Sequence, residues 1–478
     1  MNRFTKYSIN LSVFSGIVYT YKKHLNKNFY TDEDIKKHNT ENDAWVSYKG
    51  NVYNITPFID AHPGGKDKIM EAAGKPLEPY WELYQQHYTP DVLNILNDYK
   101  IGHTKKGQTK KYSEINDPYS NEPTRNNNLN VHKNKPYNAE PELIKLRKHY
   151  ITPEENMFVR NHHPVPPVNE ENYFLTLTNK KGSIKISLKD IKKDYPHQTV
   201  TSTIQCAGNR RIEFNKNGDS TLGLPWKGGA IFNAKWTGVY LKDILDDYEF
   251  SNNEKYVHLI GLDSPFDASI SMDKVNNIKE DVIIAFKMND EDIPLDHGYP
   301  LRVIVPGYFG GKNVKWLDEI KLSNEESMST WQRGIAYKGL SNNIKSISDI
   351  DKSTISNIPT IEELPVQSII CDVIEGDNDI VTIKGIAYSG GGKKIVRVDV
   401  SMNGGISWNT AELGDGKEQE RNRAWAWTFW EINLNKKNDT MEIISKATDS
   451  SYNTQPDNIN NIWNIRGILN NSVFKFIL

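Results

Sequence analysis

Hydrophobic and polar residues alternate along several segments in the C-terminal third of the chain, which is typical of strands with one buried face. The segment IVRVDVSMNGGISW (395–408) predicts two strands around the turn NGG, and AWAWTFWEINL (424–434) predicts a further strand whose tryptophans lie in the core. This pattern predicts an immunoglobulin-like β-sandwich over residues 340–478.

The pattern differs in residues 29–103. TDED (31–34) predicts a helix start, because Thr31 can cap the helix and acidic side chains favour its first turn. WVSYKGNVYNIT (45–56) predicts two short strands around the turn KGN. HPGG (62–65) predicts a turn that presents His62 on a loop, and His87 follows an aromatic segment. Two such imidazoles could ligate one iron, although two unrelated surface histidines would give the same sequence pattern.

Two segments interrupt the folded regions. Residues 104–128 are polar and rich in Asn and Lys, which predicts a flexible linker before a central domain at 129–339. Residues 1–28 carry basic but no acidic side chains around the mildly apolar run LSVFSGIVY, which predicts a mitochondrial targeting presequence. A disordered or membrane-touching N-terminus and a secretory signal are the alternatives.

Composition and net charge exclude several classes of protein and site. The 478 residues have a net charge of −2, which gives no sign of nucleic-acid binding, and two cysteines exclude a disulfide framework or a Cys-rich zinc site. No run of 18 apolar residues occurs, so no stable membrane span is expected. The N-terminal domain is acidic, which suits either a docking face for a basic partner or an ordinary solvated surface.

One of the two cysteines, Cys206, lies in QCAGNRR (205–211), after the β-prone segment TVTSTIQ (199–205). A lone cysteine is often a small buried apolar residue. Adjacent arginines, however, favour a thiolate, and a thiolate is a good ligand for a soft metal. No second cysteine is near in the sequence, so the remaining ligands would come from a cofactor.

The central domain also has a surplus of basic residues in its motifs. Guanidinium groups recognise oxyanions through paired hydrogen bonds, so a cavity that held these residues would require an anion. A cofactor phosphate and a small oxyanion substrate are both candidates, and scatter over the surface is the alternative. The residues are Arg160, Arg210, Arg211, His297, Arg302 and Lys315.

Two family resemblances organise these motifs. Residues 29–103 resemble the cytochrome b5 family, on WVSYKGNVYNIT, HPGG and the later histidine, and this implies a haem b with His62 and His87 as axial ligands. The chain from about residue 29 to 478 resembles the sulfite oxidase family. The motifs that carry this resemblance are RNHHPVP, QCAGNRR, DHGYPLRV, VKWL, WQRGIAYKG, ELPVQS and IWNIRG.

The second resemblance implies a multidomain α+β chain with a cytochrome b5-like domain, a mixed α/β molybdopterin domain and the C-terminal sandwich. It implies that Cys206 is the protein ligand of molybdenum. It implies pterin contacts from Phe158, Val159, Arg160, Asn161, His162, Asp263, His297, Arg302, Asn313, Val314 and Lys315. The implied substrate pocket contains Arg160, Arg211, Trp226, Tyr337 and Arg466, of which Tyr337 and the three arginines also serve catalysis.

The sequence departs from the family pattern in three places. The segment GLDSPFDASISM (261–272) is short, which puts the contact from Asp263 in doubt, and Asn313 stands where a histidine is expected. The residue before Tyr337 is Ala336 instead of an acidic or polar one. None of these departures removes the cysteine, tyrosine or arginine set.

The resemblance implies oxidation of sulfite to sulfate, with electrons passing singly through haem b to cytochrome c in the mitochondrial intermembrane space. It also implies a homodimer formed through the C-terminal domain. A nitrate reductase-type molybdoenzyme is the first alternative, although there the haem domain follows the molybdenum domain. A haem electron carrier fused to an inactive scaffold is the second.

Overall fold

The computed structural model describes residues 28–62, 64–88, 90–105, 117–125, 127–217, 220–248, 254–263, 266–346, 349–350, 354–377, 379–436 and 442–478. The predicted presequence lies outside these residues except for Asn28, as do residues 106–116 of the predicted linker. The chain forms two compact units, one up to Ser120 and one from Asn121 onward.

The N-terminal unit is a five-stranded sheet with short helices. The sheet order is β1-β5-β4-β3-β2. Its strands are β1 (Phe29–Tyr30), β2 (Asn39–Thr40), β3 (Asp43–Tyr48), β4 (Asn51–Asn54) and β5 (Lys100–Thr104). Its helices are α1 (Asp32–Lys37), α2 (Lys66–Met70), α3 (Glu78–Leu83) and α4 (Pro90–Asp98), with 3-10 helices at Thr56–Ala61 and Gln85–Tyr88.

Two local predictions for this unit are confirmed. Thr31 caps α1 and forms a reciprocal capping box with Asp34, because its hydroxyl accepts from the Asp34 amide while the Asp34 carboxylate accepts from the Thr31 amide. The strands β3 and β4 meet at the turn KGN, where Lys49 and Gly50 have positive φ.

The second unit begins with three sheets that surround the candidate site. Their orders are β6-β7-β8, β10-β9-β18-β13-β14 and β11-β12-β15-β16, with β17 paired to β15. The strands are β6 (Asn130–Asn134), β7 (Tyr137–Glu140), β8 (Val159–Arg160), β9 (Phe174–Asn179), β10 (Gly182–Ser187), β11 (Gln198–Gln205), β12 (Ile231–Tyr240), β13 (Tyr256–Gly261), β14 (Asp267–Ser271), β15 (Ile283–Met288), β16 (Glu291–Asp292), β17 (Arg302–Ile304) and β18 (Leu317–Ser323). The helices are α5 (Leu143–Leu146), α6 (Leu188–Asp194), α7 (Leu241–Asp247) and α8 (Met272–Asn276).

The C-terminal part is a two-layer sandwich, as predicted. Its sheets have the orders β19-β20-β24-β23 and β22-β21-β25-β26, and side chains from both sheets share one apolar core. The strands are β19 (Gln367–Glu375), β20 (Ile380–Tyr388), β21 (Ile395–Ser401), β22 (Asn409–Thr410), β23 (Glu412–Leu413), β24 (Thr428–Asn435), β25 (Glu442–Asp449) and β26 (Phe474–Ile477).

Two extents in the sandwich differ from the prediction. The first strand at 395–408 ends at Ser401, because Gly404 and Gly405 have positive φ and turn the chain before β22. The tryptophan-rich strand begins only at Thr428. Trp425 precedes it, and its indole donates to the buried Asp281 carboxylate at 2.7 Å, so this tryptophan joins the sandwich to the central sheets.

Candidate active site

The N-terminal unit brings its two predicted histidines face to face. The rings of His62 and His87 have centroids 6.0 Å apart and planes only 9° from parallel. Each Nδ1 lies at hydrogen-bond distance from a backbone carbonyl, 3.0 Å from Gly65 and 2.7 Å from Tyr84. With Nδ1 as the donor, each Nε2 carries the lone pair that a metal ligand requires.

The setting of these imidazoles suits metal ligation. Burial lowers the pKa of His62, which keeps that ring neutral. A side chain at Gly64 would lie 2.7 Å from Cε1 of His62, so glycine is needed beside the ring. Phe58 and Trp81 lie against the two histidines, with centroid distances of 5.9 and 5.4 Å. The residues therefore fit a bis-histidine haem with apolar walls.

The second unit contains a cavity with Cys206 on its wall. Strand β11 ends at Gln205, and the Cys206 amide donates to the Ala230 carbonyl at 3.0 Å. The Leu469 amide donates to the Ala207 carbonyl at 2.8 Å, so the sandwich part of the chain also holds this loop. Cys206 is thus presented at the end of a strand, as predicted.

Most of the predicted cofactor residues line the same cavity. Of the predicted set, the cavity wall includes Phe158, Arg160, His162, Cys206, Asp263, His297, Arg302, Asn313, Val314, Lys315 and Tyr337. Val159 instead packs in a small core with Tyr137 and Ala139, and Asn161 lies behind the wall, where its amide donates to Asp296 at 2.9 Å.

Arg211 is held in a narrow passage beside Cys206. Its Nε donates to the carbonyls of Arg466 and Gly467, both at 3.1 Å, and its Nη1 donates to the Leu224 carbonyl at 2.7 Å. Burial lowers the pKa of Arg211, and the like charge of Arg466 acts in the same direction.

Three glycines make this passage. A Cβ on Gly208, Gly223 or Gly467 would lie 2.2, 2.8 or 2.6 Å from the nearest Arg211 side-chain atom. The sequence analysis did not single out these glycines. Gly223 and Gly467 have positive φ, which the sequence does not reveal. Gly208 and Gly467 lie in the motifs QCAGNRR and IWNIRG, whereas Gly223 lies in none of the motifs.

Arg160 also lines the cavity. Its Nη1 donates to Asn138 Oδ1 at 3.0 Å and to the Asn161 carbonyl at 2.7 Å. Burial lowers the pKa of Arg160, against the opposing effect of Tyr337 and Cys206. Burial raises the pKa of Tyr337 to about 12, and its ring lies 4.5 Å from that of Phe309. Tyr337 is therefore a protonated hydroxyl at neutral pH.

Arg302, His297 and Lys315 form the polar end of the cavity. Arg302 donates to the carbonyls of Asn313 and His297, and it has no carboxylate partner among the described residues. Burial lowers the pKa of Arg302 to about 9 and, with the charge of Arg302, that of His297 to about 3. Burial raises the pKa of the nearby Asp263 to about 6 and lowers that of Lys315 to about 7. Arg302 is therefore the cation of this end that has no carboxylate partner among the described residues.

Two further predicted residues, Asn313 and Trp226, contact other parts of the protein. Asn313 uses its amide on backbone atoms, accepting from Val305 and donating to Tyr308 and Phe309. Trp226 is fully buried against Phe158, with centroids 6.1 Å apart, and it is not on the cavity wall.

His162 is on the cavity wall, and Arg466 lies close to it. His162 stacks on Phe266, and its buried Nε2 has no hydrogen-bond partner among the described residues. Arg466 lies close to Tyr337, because its Nε donates to the Ala336 carbonyl at 3.3 Å.

Arg210 corrects the predicted charge surplus. It is fully buried, and its Nε and Nη2 donate to the Glu213 carboxylate at 2.9 and 2.7 Å. Its Nη1 donates to the Ser472 carbonyl at 2.7 Å. Because Glu213 neutralises it, Arg210 holds the loop to the C-terminal segment and does not add to the charge of the cavity.

An ion pair that no sequence motif indicates lies at the polar end, where Asp296 is on the cavity wall. Arg125 donates from Nε and Nη2 to the two oxygens of Asp296, both at 2.7 Å, and its guanidinium lies 4.2 Å from the centre of the Tyr137 ring. The Asp296 carbonyl in turn accepts from Lys315 at 2.9 Å. Arg125 and Asp296 are 171 residues apart, and no local pattern links them.

The donor set of the cavity suits an anionic group with a thiolate-bound metal. Cys206 can supply one soft ligand, while Arg302 and Lys315 offer buried charge to a phosphate. The unpartnered Nε2 of His162 is a further polar atom at this site.

No helix among the described residues is long and apolar enough to cross a membrane.

Comparisons with known families agree with this architecture. Residues 31–105 match the cytochrome b5-like heme/steroid binding domain, 162–331 the oxidoreductase molybdopterin binding domain and 358–478 the Mo-co oxidoreductase dimerisation domain. The fold and the site therefore define a molybdopterin oxidoreductase with a haem-binding domain.

Full-length relatives specify the family. The chain is 42% identical to mitochondrial sulfite oxidase of Rattus norvegicus, over 93% of this chain and 83% of that protein, and 40% identical to sulfite oxidase of Gallus gallus, over 92% and 97%. The protein belongs to the sulfite oxidase family. The predicted family, cofactor classes and three-domain fold class are confirmed.

More distant proteins share parts of this architecture. The NADH nitrate reductase of Cichorium intybus is 32% identical over 71% of this chain and 39% of that protein. The sulfane dehydrogenase SoxCD of Paracoccus pantotrophus has the same fold, with a TM-score of 0.61 at 23% identity, over 77% of this chain and 93% of that one.

Proposed function

We propose that this protein oxidises sulfite to sulfate and passes the electrons singly through haem b to cytochrome c. The observation that carries the proposal is that Cys206, Arg160 and Tyr337 share one cavity, with Arg211 beside it. The 42% identity to a mitochondrial sulfite oxidase supports the choice of substrate.

Cys206 is proposed as the protein ligand of molybdenum. The pterin group would be held by Phe158, Val159, Arg160, Asn161, His162, Asp263, His297, Arg302, Asn313, Val314 and Lys315. Arg302 suits its phosphate, because it has no carboxylate partner among the described residues, and Lys315 is near enough for the two charges to interact. Val159 and Asn161 would act by supporting the wall, since neither lines the cavity. When bound, the molybdenum centre supplies the two-electron oxidation and the haem supplies one-electron transfer.

The substrate position is proposed to lie between Arg160, Arg211 and Arg466, with Tyr337 beside them. Guanidinium groups bind a tetrahedral oxyanion through several charge-assisted hydrogen bonds, each worth about 1.5–3 kcal/mol. Glycine contacts and three carbonyls fix Arg211, so its position is set before sulfite binds. Tyr337 retains its proton and can donate to an oxyanion. Trp226 would support this pocket through Phe158.

His62 and His87 are proposed as the two axial ligands of haem b. A haem held by these two histidines would supply electron transfer, because an iron with two imidazole ligands keeps no position for oxygen. The proposed domains are 29–103, 129–339 and 340–478, joined by a linker at 104–128 and preceded by a presequence at 1–28. We further propose a homodimer through the C-terminal domain and a location in the mitochondrial intermembrane space.

The test is sulfite-dependent reduction of cytochrome c by the purified protein, with molybdenum and haem measured in the same sample. Activity with about one molybdenum and one haem per chain is the expected result. Both metals without sulfite activity would overturn the proposal, and a nitrate-reduction assay would then examine the alternative that the Cichorium intybus relative suggests. Haem without molybdenum, in a host that makes the pterin cofactor, would argue against Cys206 as ligand.

A further inference from the structure

Lys133 lies in the same row of a sheet as Arg160. The register pairs Lys133 of β6 with Asn138 of β7, and Asn138 with Arg160 of β8. Residues directly opposite each other in a sheet project their side chains from the same face. A lysine and a half-buried arginine are therefore separated on this face by one asparagine.

The asparagine holds Arg160 but does not neutralise it. Asn138 Oδ1 accepts from Arg160 Nη1 at 3.0 Å and from the Asn161 amide at 3.1 Å. Its amide donates to the carbonyls of Pro136 and Asn161. The two acceptors of Arg160, Asn138 Oδ1 and the Asn161 carbonyl, are neutral, so the charge of Arg160 remains available to an anion.

Lys133 adds a second uncompensated charge. Among the residues that the structure describes, its ammonium group has neither a carboxylate partner nor a hydrogen-bond acceptor. It is half-buried, and burial followed by the charge of Arg160 lowers the pKa of Lys133 to about 8. Two like charges held together in this way are relieved when an anion binds beside them.

We propose that Lys133 is a further binding residue for the oxyanion substrate, because its ammonium group provides an additional anion-binding position on the Arg160 side of the site. It would increase the affinity for sulfite without taking part in the redox step. This inference rests on the proposed function, and it adds a residue that none of the sequence motifs contained. Lys133 would act through encounter and binding, as a charge near the edge of a site does.

The experiment compares the wild-type holoenzyme with Lys133→Gln and Lys133→Arg in steady-state sulfite oxidation. Lys133→Gln should raise KM for sulfite about three- to tenfold, the range between a weak exposed ion pair and a charge-assisted hydrogen bond. The value of kcat should stay within about twofold, since the lost contact is made before chemistry. Lys133→Arg should restore KM, and sulfate inhibition should weaken in parallel with sulfite binding.

The dependence of KM on ionic strength and pH distinguishes a binding role of Lys133 from a purely structural one. KM of the wild type should rise more steeply with ionic strength than KM of Lys133→Gln. The KM ratio of Lys133→Gln to wild type should be largest below about pH 8 and approach one as the pH rises through that value. This follows because the ammonium is charged below its pKa, and Arg160 is the only charged group that acts on it among the described residues.

The matched control is Lys185→Gln, which removes an exposed lysine from β10, a strand of a different sheet. Its KM should equal that of the wild type. Unchanged KM in Lys133→Gln, or a fall in kcat without a rise in KM, would overturn the inference while leaving the proposed function intact. If the wild-type protein failed to oxidise sulfite, both the inference and the proposed function would be wrong, because the inference depends on that substrate.

Discussion

The two candidate sites of this protein are built in opposite ways. His62 and His87 come from two neighbouring loops of one small unit, and burial keeps His62 neutral. The cavity at Cys206 is assembled from segments between residues 158 and 337, with Arg211 and Arg466 beside it. A metal that the protein ligates on both faces needs only local geometry. A cavity for an anionic cofactor and an anionic substrate needs charge brought from distant parts of the chain.

The largest effect is expected when the sulfur of Cys206 is removed. Cys206→Ser should reduce sulfite oxidation by on the order of 1000-fold or more, beyond the 10- to 100-fold typical of outer-shell partners. The haem spectrum should not change, because the histidines belong to the other unit. Cys371→Ala is the control, since Cys371 lies in the sandwich core. Normal sulfite oxidation by Cys206→Ser would disprove the ligand assignment.

Removing a haem ligand should separate the two sites functionally. His87→Leu should lose the haem and with it cytochrome c reduction, because an imidazole ligand cannot be replaced by an alkyl side chain. Sulfite oxidation with ferricyanide, which can accept electrons without the haem, should remain. His103→Gln, in β5 of the same unit, should keep both activities. If His87→Leu retained its haem spectrum, the bis-histidine assignment would be wrong.

The ion pair at the polar end should matter chiefly to stability. Arg125→Gln leaves the buried Asp296 carboxylate without its bidentate partner, which should lower the free energy of unfolding by about 3 kcal/mol. Burial alone would raise the pKa of Asp296, but Arg125 brings it below its ordinary value of 3.8. A group of this kind stabilises the fold above its unfolded pKa, and the effect is lost as the pH falls through the folded pKa.

Denaturant unfolding at pH 7 and at low pH measures this contribution. The difference between wild type and Arg125→Gln should shrink as the pH falls below about 4. Asp296→Asn in the Arg125→Gln background should recover part of the loss, because Asp296 is one of the two carboxylates, with Glu122, that Arg125 neutralises. Equal stabilities of wild type and Arg125→Gln at pH 7 would show that the pair is not needed.

A smaller effect is expected at the glycine that borders Arg211. Gly467 has φ +55°, and a Cβ there would lie 2.6 Å from Arg211 Cγ. Gly467→Ala should destabilise the fold by about 1–2 kcal/mol and lower kcat/KM about tenfold through displacement of Arg211. Gly339→Ala is the control, since no atom lies within 4 Å of its Cβ position. A fully active Gly467→Ala would contradict the fixed placement of Arg211.

The sequence predicted what short-range chemistry determines. The cap at Thr31, the turn at Lys49 and Gly50 and the strand before Cys206 follow from local residue types. The motifs also supplied most of the cavity wall. The partners of buried charges were not predictable in this way, since Glu213 neutralises Arg210 and Asp296 pairs with Arg125 only after the chain has folded. The glycines around Arg211 were missed for the same reason.

The contacts that hold the Cys206 loop also have a consequence for the order of assembly. Arg210 donates to Ser472, 262 residues later in the chain, and Leu469 donates to Ala207. A nascent polypeptide that has not yet reached residue 469 cannot make either contact. The loop therefore attains its final shape only after the segment that contains Leu469 and Ser472 has been synthesised.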